Sequence, residues 1–274
     1  MNFAEIIRRR RSVRTFDGEA LRPDDAKKIL DFAVKAENPY EIPITWYLPD
    51  AARDNVRAPV IVGAQTYIAG KIARVPHAEE AFGYSFEEVV LYAHSLGVGT
   101  TWIAGTMDRP AFERAVALAS GEVMPCVSPL GYPAKKMSLR ETVMRKGVKA
   151  DSRNAFETLF FDGSFGKPLA PEAAGALRTP LEAVRLSPSA VNKQPWRVVL
   201  RDGAAHFYEK RNRGFTKDDG WDLQKIDMGI AMCHFALTAA EAGTELSFQI
   251  RDPEIPTPDD TVYIASYRVG HAAT

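Results

Sequence analysis

Leu21-Arg22-Pro23-Asp24-Asp25-Ala26 returns 148 residues later as Leu169-Ala170-Pro171-Glu172-Ala173-Ala174, and this recurrence decides how the chain is read. In both copies a proline stands where a helix can begin without its N–H, and acidic side chains follow in the first turn, where they suit the helix dipole. Other punctuation repeats in the same order. Trp46, leading into Tyr47 and Leu48, returns 150 residues on as Trp196 before Val198, Val199 and Leu200. A helix expected over residues 85–95, closed by Gly97 and Gly99, is echoed by Ile226, Ile230, Cys233, Phe235 and Leu237 before Gly243, with Gly99-Thr100 and Gly243-Thr244 lying 144 apart. Residues 127–132, a strand running into a glycine, are echoed by 263–270. Four matches in one order predict two copies of one α+β unit, residues 1–150 and 151–274, joined near 146–160. Similar halves pair most easily as a homodimer does, across a pseudo-twofold axis, and clefts between halves are favoured places for cofactors.

Local signals fill in each copy. Asn2 and Glu5 stand at capping-box spacing, and Phe3, Ile6 and Ile7 put an apolar stripe on the first helix. The helix from Pro23 carries Ala26, Ile29, Leu30, Ala33 and Val34 at the helical period. Val60, Ile61, Val62 and Gly63 read as a short buried strand, residues 100–103 as another, and 109–118 as a helix. Residues 127–133 read as a strand ending in a glycine and proline turn.

Composition narrows the function classes. With 46% hydrophobic residues the chain is not disordered, and 35 basic against 35 acidic side chains leave no charge excess to hold a nucleic acid. Cys126 and Cys233 stand alone, and His77, His94, His206, His234 and His271 are scattered, so no metal site or disulfide framework is expected. No apolar run approaches the ~18 residues of a membrane span, and the N-terminal charges follow a short apolar stretch, the reverse of a signal peptide. A soluble cytoplasmic protein with no membrane partner is the expectation. No G-x-S-x-G accompanies Ser189, so a serine nucleophile is not expected either.

Two stretches can carry chemistry. Residues 8–14 hold five arginines within seven positions, with Ser12 among them. They read either as forked donors around a phosphate or as a solvated helix end. Ser187-Pro188-Ser189-Ala190-Val191-Asn192-Lys193-Gln194-Pro195-Trp196 sets hydroxyl and amide groups between prolines just before a strand. It reads either as a rigid polar loop for a planar heterocycle or a sugar alcohol chain, or as ordinary turn chemistry.

Taken together these stretches resemble the nitroreductase family of flavin enzymes, whose R-R-S-x-R-x-F motif is met by Arg10, Arg11, Ser12, Arg14 and Phe16 and whose S-P-S-x-x-N-x-Q-P-W is met by residues 187–196. Residues 92–102 resemble the family's helix end, and Pro129-Leu130-Gly131-Tyr132-Pro133 its G-Y-P turn. The likeness implies an α+β, nitroreductase-like fold in which two repeats form a pseudo-dimer, with antiparallel-rich central sheets flanked by helices. It also implies an FMN-dependent oxidoreductase that passes hydride from NAD(P)H to a nitroaromatic, quinone or similar acceptor. A flavin-binding carrier or sensor without turnover is the alternative.

The departures from the pattern are instructive. In the first half, residues 37–46 keep only the tryptophan of the S-P-S motif, and in the second, residues 160–167 lack the arginines. One complete set survives, which implies one FMN per chain in a monomer that imitates a dimer. The resemblance assigns the phosphate to Arg10, Ser12 and Arg140, with Arg11 beside them. It assigns the reduced ring's charge to Arg14, and the N5 edge to Pro129, Leu130 and Gly131. Ser187, Pro188, Ser189 and Asn192 are assigned to the ring or ribityl chain. Chemistry then lies on the flavin, with no catalytic side chain and no metal. Tyr40, Phe82, Tyr84 and Trp221 are candidate lining for a substrate cleft.

Overall fold

The computed structural model describes residues 1–216 and 220–270, so His271 lies outside the described residues. The chain divides into two compact units: Arg9–Ala150, and Met1–Arg8 together with Asp151–Thr274.

The first helix, α1 (Phe3–Arg9), starts on its sequence signal, with Asn2 Oδ1 accepting the Glu5 N–H at 2.9 Å. The N–H groups of Phe3 and Ala4, which no helical carbonyl can reach, donate to the two carboxylate oxygens of Glu241 at 2.8 and 3.1 Å. Glu241 ends a helix of the second half, so this carboxylate ties the chain's opening residues into the unit made by residues 151–274.

The Arg9–Ala150 unit contains α2 (Pro23–Ala33), β1 (Ile44–Tyr47), β2 (Thr66–Ala73), α3 (Ala78–Ser95), α4 (Arg109–Ala115), β3 (Glu122–Val123), β4 (Val127–Leu130) and α5 (Leu139–Gly147). Its sheet is antiparallel. β2 pairs with β1 along one edge and with β4 and β3 in succession along the other. Helix α3 is buried along most of its length, and Trp46, Phe82, Phe86 and Trp102 pack as an aromatic group on it. The helix begins at Ala78, well before the expected residue 85. Its N-cap is His77 in the left-handed region, at φ 66°, with no capping side chain, so the usual start signal is missing from the sequence. Val60–Gly63 also differs from expectation: only Val62 bridges, and its partner is the extended segment at Thr15 rather than a sheet. Residues 100–103 likewise make single bridges, Thr100 to Ser12 and Ile103 to Val127.

The other unit continues with α6 (Phe156–Leu159), β5 (Phe160–Asp162), a 3-10 stretch at Pro171–Leu177, α7 (Arg178–Leu186), a short 3-10 turn at Ala190–Asn192, β6 (Trp196–Arg201), β7 (Ala204–Lys210), α8 (Leu223–Glu241), β8 (Leu246–Gln249) and β9 (Thr261–Val269). Its sheet runs β5-β6-β7-β9-β8, with β5 parallel to β6 and every other pairing antiparallel. Helix α8 packs against α7 and carries Met228, Met232, Cys233 and Phe235 fully into the core. Among the described residues no helix is long and apolar enough to cross a membrane, and no group of His, Cys, Asp or Glu is arranged to hold a metal.

Candidate functional site

In the Arg9–Ala150 unit the arginine motif is not helical. Helix α1 stops at Arg9, and the following residues run extended: Val13 N–H donates to Thr100 O at 2.9 Å, Phe16 N–H to Val62 O at 2.8 Å, and Val62 N–H to Arg14 O at 2.9 Å. Val13 and Phe16 are buried, which anchors the strip. Gly131 is required here by packing, since a Cβ on it would lie 2.9 Å from Phe16 Cδ1, and its carbonyl accepts the Gly99 N–H at 2.7 Å. Pro129 and Leu130 are buried in β4 opposite Tyr67 and Thr66 of β2.

Arg10 is the unusual member of the strip. Its side chain is 5% exposed, and its nearest counter-charge, Glu87 Oε1, lies 3.9 Å from Nε. Its buried Nε and Nη1 find no hydrogen-bond partner among the described residues. Burial pushes its pKa down, Glu87 raises it and Arg145 lowers it again. Glu87 is itself fully buried and takes the Trp102 Nε1–H on its other oxygen at 2.8 Å. Arg14 follows the same pattern: burial lowers it, Glu141 raises it, and Arg145 and Arg10 lower it. Arg11 Nη1 lies 3.4 Å from Glu141 Oε1, and Glu141 is 1% exposed. Ser138 caps α5 by accepting the Glu141 N–H at 3.1 Å, which directs this helix and its acid toward the strip. His94 is held below its ordinary value by burial and by Arg10, Arg11 and Arg9.

Arg10, Arg11, Arg14 and Arg145 thus act on one another's charge here, with Glu87 and Glu141 set among them. A buried guanidinium with two unsatisfied nitrogens, set among further arginines, is suited to an anion. Of the α5 arginines, Arg140 is exposed and donates to the Pro59 carbonyl, while Arg145 is the one whose charge reaches Arg10 and Arg14. Arg145 was not legible from its distance to the turn, because its relevance depends on how α5 is rotated.

Glu88, which follows Glu87 in α3, has a shifted pKa of its own. Burial, and secondarily Glu37, push it up from 4.5 to about 7. The folded state thus keeps a proton between those values that the unfolded chain has released, so stability falls as pH rises through this window. Glu88→Gln is expected to flatten urea-midpoint profiles between pH 4.5 and 7, a slope worth up to about 3 kcal/mol. A variant with the wild-type slope would show that Glu88 is not its source.

In the other unit the loop 187–196 is held by its own polar groups and by its surroundings. Ser189 Oγ accepts the Gln194 N–H at 2.9 Å, Gln194 Oε1 accepts the Asn154 N–H at 2.8 Å, and Asn192 Nδ2 donates to Ser152 O at 3.1 Å. Arg197, half-buried and lowered by burial, donates to the Gln194 and Trp196 carbonyls at 3.1 and 2.6 Å. Ser187 is fully buried, with its hydroxyl 2.9 Å from His234 Nδ1 and 3.3 Å from Ala183 O. Pro188, Ser189 and Asn192 are not buried, so of the expected ring-binding residues Ser187 is the one turned inward. Three non-glycine residues, Val191, Asn192 and Gln194, have φ of 43°, 58° and 51°. Such backbones cost of order 1–3 kcal/mol each and persist only where the surroundings over-determine them. Asp227 of α8 supplies part of that constraint, since both of its carboxylate oxygens accept the Ala190 N–H at 3.1 Å. Phe82 and Trp221 are buried, and Tyr40 stacks on His77 at 5.2 Å.

A family model described as "Putative TM nitroreductase" matches residues 2–239. The chain is similar in structure to a "putative nitroreductase" from Thermotoga maritima MSB8, with a TM-score of 0.63 and 20% identity over 98% of this chain and 93% of that one. A "putative nitroreductase in complex with FMN" from Desulfovibrio desulfuricans matches with a TM-score of 0.41 and 21% identity over 52% of this chain and 95% of that one. An "FMN-dependent nitroreductase" from Clostridium difficile R20291 matches with a TM-score of 0.41 and 18% identity over 52% and 94%. No curated protein matches the chain. At 20% identity the Thermotoga structure establishes the fold alone, whereas the family model spans most of the sequence. The α+β units and the arginine strip thus belong to a chain of the putative TM nitroreductase family.

Proposed function

We propose that the chain is an FMN-dependent oxidoreductase that takes hydride from NAD(P)H and passes it to a nitroaromatic, quinone or similar acceptor. The observation that carries this reading is the buried Arg10 guanidinium with Nε and Nη1 unsatisfied, inside a group of arginines. The FMN phosphate bears about −1.5 to −2 at neutral pH and offers the acceptor oxygens that those two nitrogens lack. When bound, FMN supplies hydride acceptance and release at its ring.

The residues then have separate tasks. Arg10, Ser12 and an α5 arginine bind the phosphate, Arg145 being the one whose charge reaches Arg10. Arg14 stabilises negative charge on the reduced ring. Pro129, Leu130 and Gly131 form a rigid wall, and residues 187–196 receive the ring or ribityl chain through Ser189 and Asn192. No side chain need exchange a proton.

We read residues 1–150 and 151–274 as a duplicated unit that acts as a pseudo-dimer with one FMN per chain. The internal topology of the units supports this. In one, α2, β1, β2, α3 and β4 follow in order with β2 between β1 and β4; in the other, α7, β6, β7, α8 and β9 follow in order with β7 between β6 and β9. Titration of the FMN-free chain, followed by quenching of flavin fluorescence, is expected to saturate at one FMN per chain. Anaerobic NADH or NADPH should then bleach the visible bands, and a quinone restore them. Two equivalent sites would overturn the pseudo-dimer reading, and no uptake would overturn the flavin reading. Bound flavin that neither nicotinamide bleaches would indicate a carrier or sensor.

A further inference from the structure

We propose that Asp227 is the positioning residue of the loop 187–196: from helix α8 its carboxylate grips the Ala190 N–H with both oxygens and holds the loop in the shape that receives the flavin. This rests on the FMN reading given above. The two contacts are 3.1 Å each, and Asp227 is 4% exposed. The ionisable groups that act on it are Glu209 from β7 and Asp222 from the α8 N-cap, both acids. Burial first, and then these two neighbours, hold Asp227 well above the usual carboxylate range, and the Ala190 N–H is the interaction that draws it back down.

An acid buried beside acids weakens the fold, and so does a backbone with three non-glycine residues in the left-handed region. Neither feature contributes stability, yet the two meet at one hydrogen bond. The turn that follows Ala190 closes with Asn192 N–H on Ser189 O and Lys193 N–H on Ala190 O, so fixing the Ala190 amide orients both peptide planes. Ser189 and Asn192, the loop's ligand-facing candidates, flank that amide. Asp227 touches neither flavin nor substrate in this scheme; it acts through the backbone.

The test uses three variants of the full chain. Asp227→Ala removes the acceptor, and Asp227→Asn keeps an oxygen in place without the charge. Ala190→Pro removes the donor, which the backbone tolerates because Ser189 is already extended at φ −146° and ψ 160°. FMN affinity is expected to fall at least about tenfold in Asp227→Ala and Ala190→Pro, and to stay within about threefold of wild type in Asp227→Asn. Amide exchange over residues 190–194 should quicken in the FMN-free Asp227→Ala chain. Because removing a buried acid relieves repulsion, its unfolding midpoint should not drop, which separates positioning from general support. Should Asp227→Ala fail to fold, Ala190→Pro carries the test. Wild-type affinity in the alanine and proline variants, or a failed rescue by asparagine, would overturn the proposal and leave the FMN reading standing. A wild-type chain that takes up no FMN would overturn that reading, and unchanged exchange rates in Asp227→Ala would then overturn the positioning role separately.

Discussion

Replacing Arg10 with methionine is expected to weaken FMN binding by about a hundredfold or more while leaving riboflavin binding unchanged. The guanidinium has two buried nitrogens without partners, and each charge-assisted bond they would form with a phosphate is worth about 1.5–3 kcal/mol. Two such bonds set the lower bound. Riboflavin lacks the phosphate, so its affinity reports any general damage to the site. The FMN-free variant should lose about 3–5 kcal/mol, because removing Arg10 breaks its buried pairing with Glu87 from one side, so both affinities are measured under conditions where the variant is folded. Lysine at this position keeps the charge without the fork and should lose about tenfold. If FMN and riboflavin affinities fall together, Arg10 acts by supporting the fold and the phosphate assignment is wrong.

Glu87→Gln should move stability and affinity in opposite directions. The amide can still accept the Trp102 Nε1–H, now bonded at 2.8 Å, so packing is preserved while the counter-charge is removed. Arg10 then stays buried with Arg145 as its charged neighbour, and breaking a buried pair from one side costs about 3–5 kcal/mol. Denaturant unfolding without ligand should register a loss of that order. FMN should bind about tenfold more tightly, because the phosphate no longer competes with a carboxylate for the guanidinium, and saturating FMN should recover much of the lost stability. A variant unchanged in both measurements would show that Glu87 and Arg10 are not energetically coupled.

The parts of this fold that were readable in the sequence are those with local causes. Asn2 and Glu5 located α1, Pro23 with Asp24 and Asp25 located α2, and Trp196 with its apolar successors located β6. The parts that were not readable depend on partners distant in the chain. Val62 has the composition of a sheet strand but pairs once, with the extended arginine strip, and α3 starts at a left-handed histidine that carries no capping signal. The site divides in the same way. Arg10, Arg14 and the loop 187–196 announce themselves by spacing. Glu87, Glu141, Arg145 and Asp227 do not, because their importance comes from burial and from which charges the folded chain sets against them.

The grip of Glu241 on the amides of Phe3 and Ala4 has a consequence for the order of synthesis. These contacts span 238 and 237 positions, so the helix over residues 3–9 cannot reach its place until Glu241 has left the ribosome. Residues 9–150 can close first, while residues 1–8 wait, with Ile7 still wet, for a glutamate that is made only with the other unit. A nascent chain arrested before residue 241 would carry that helix undocked, as a tether that proteases or chaperones can seize.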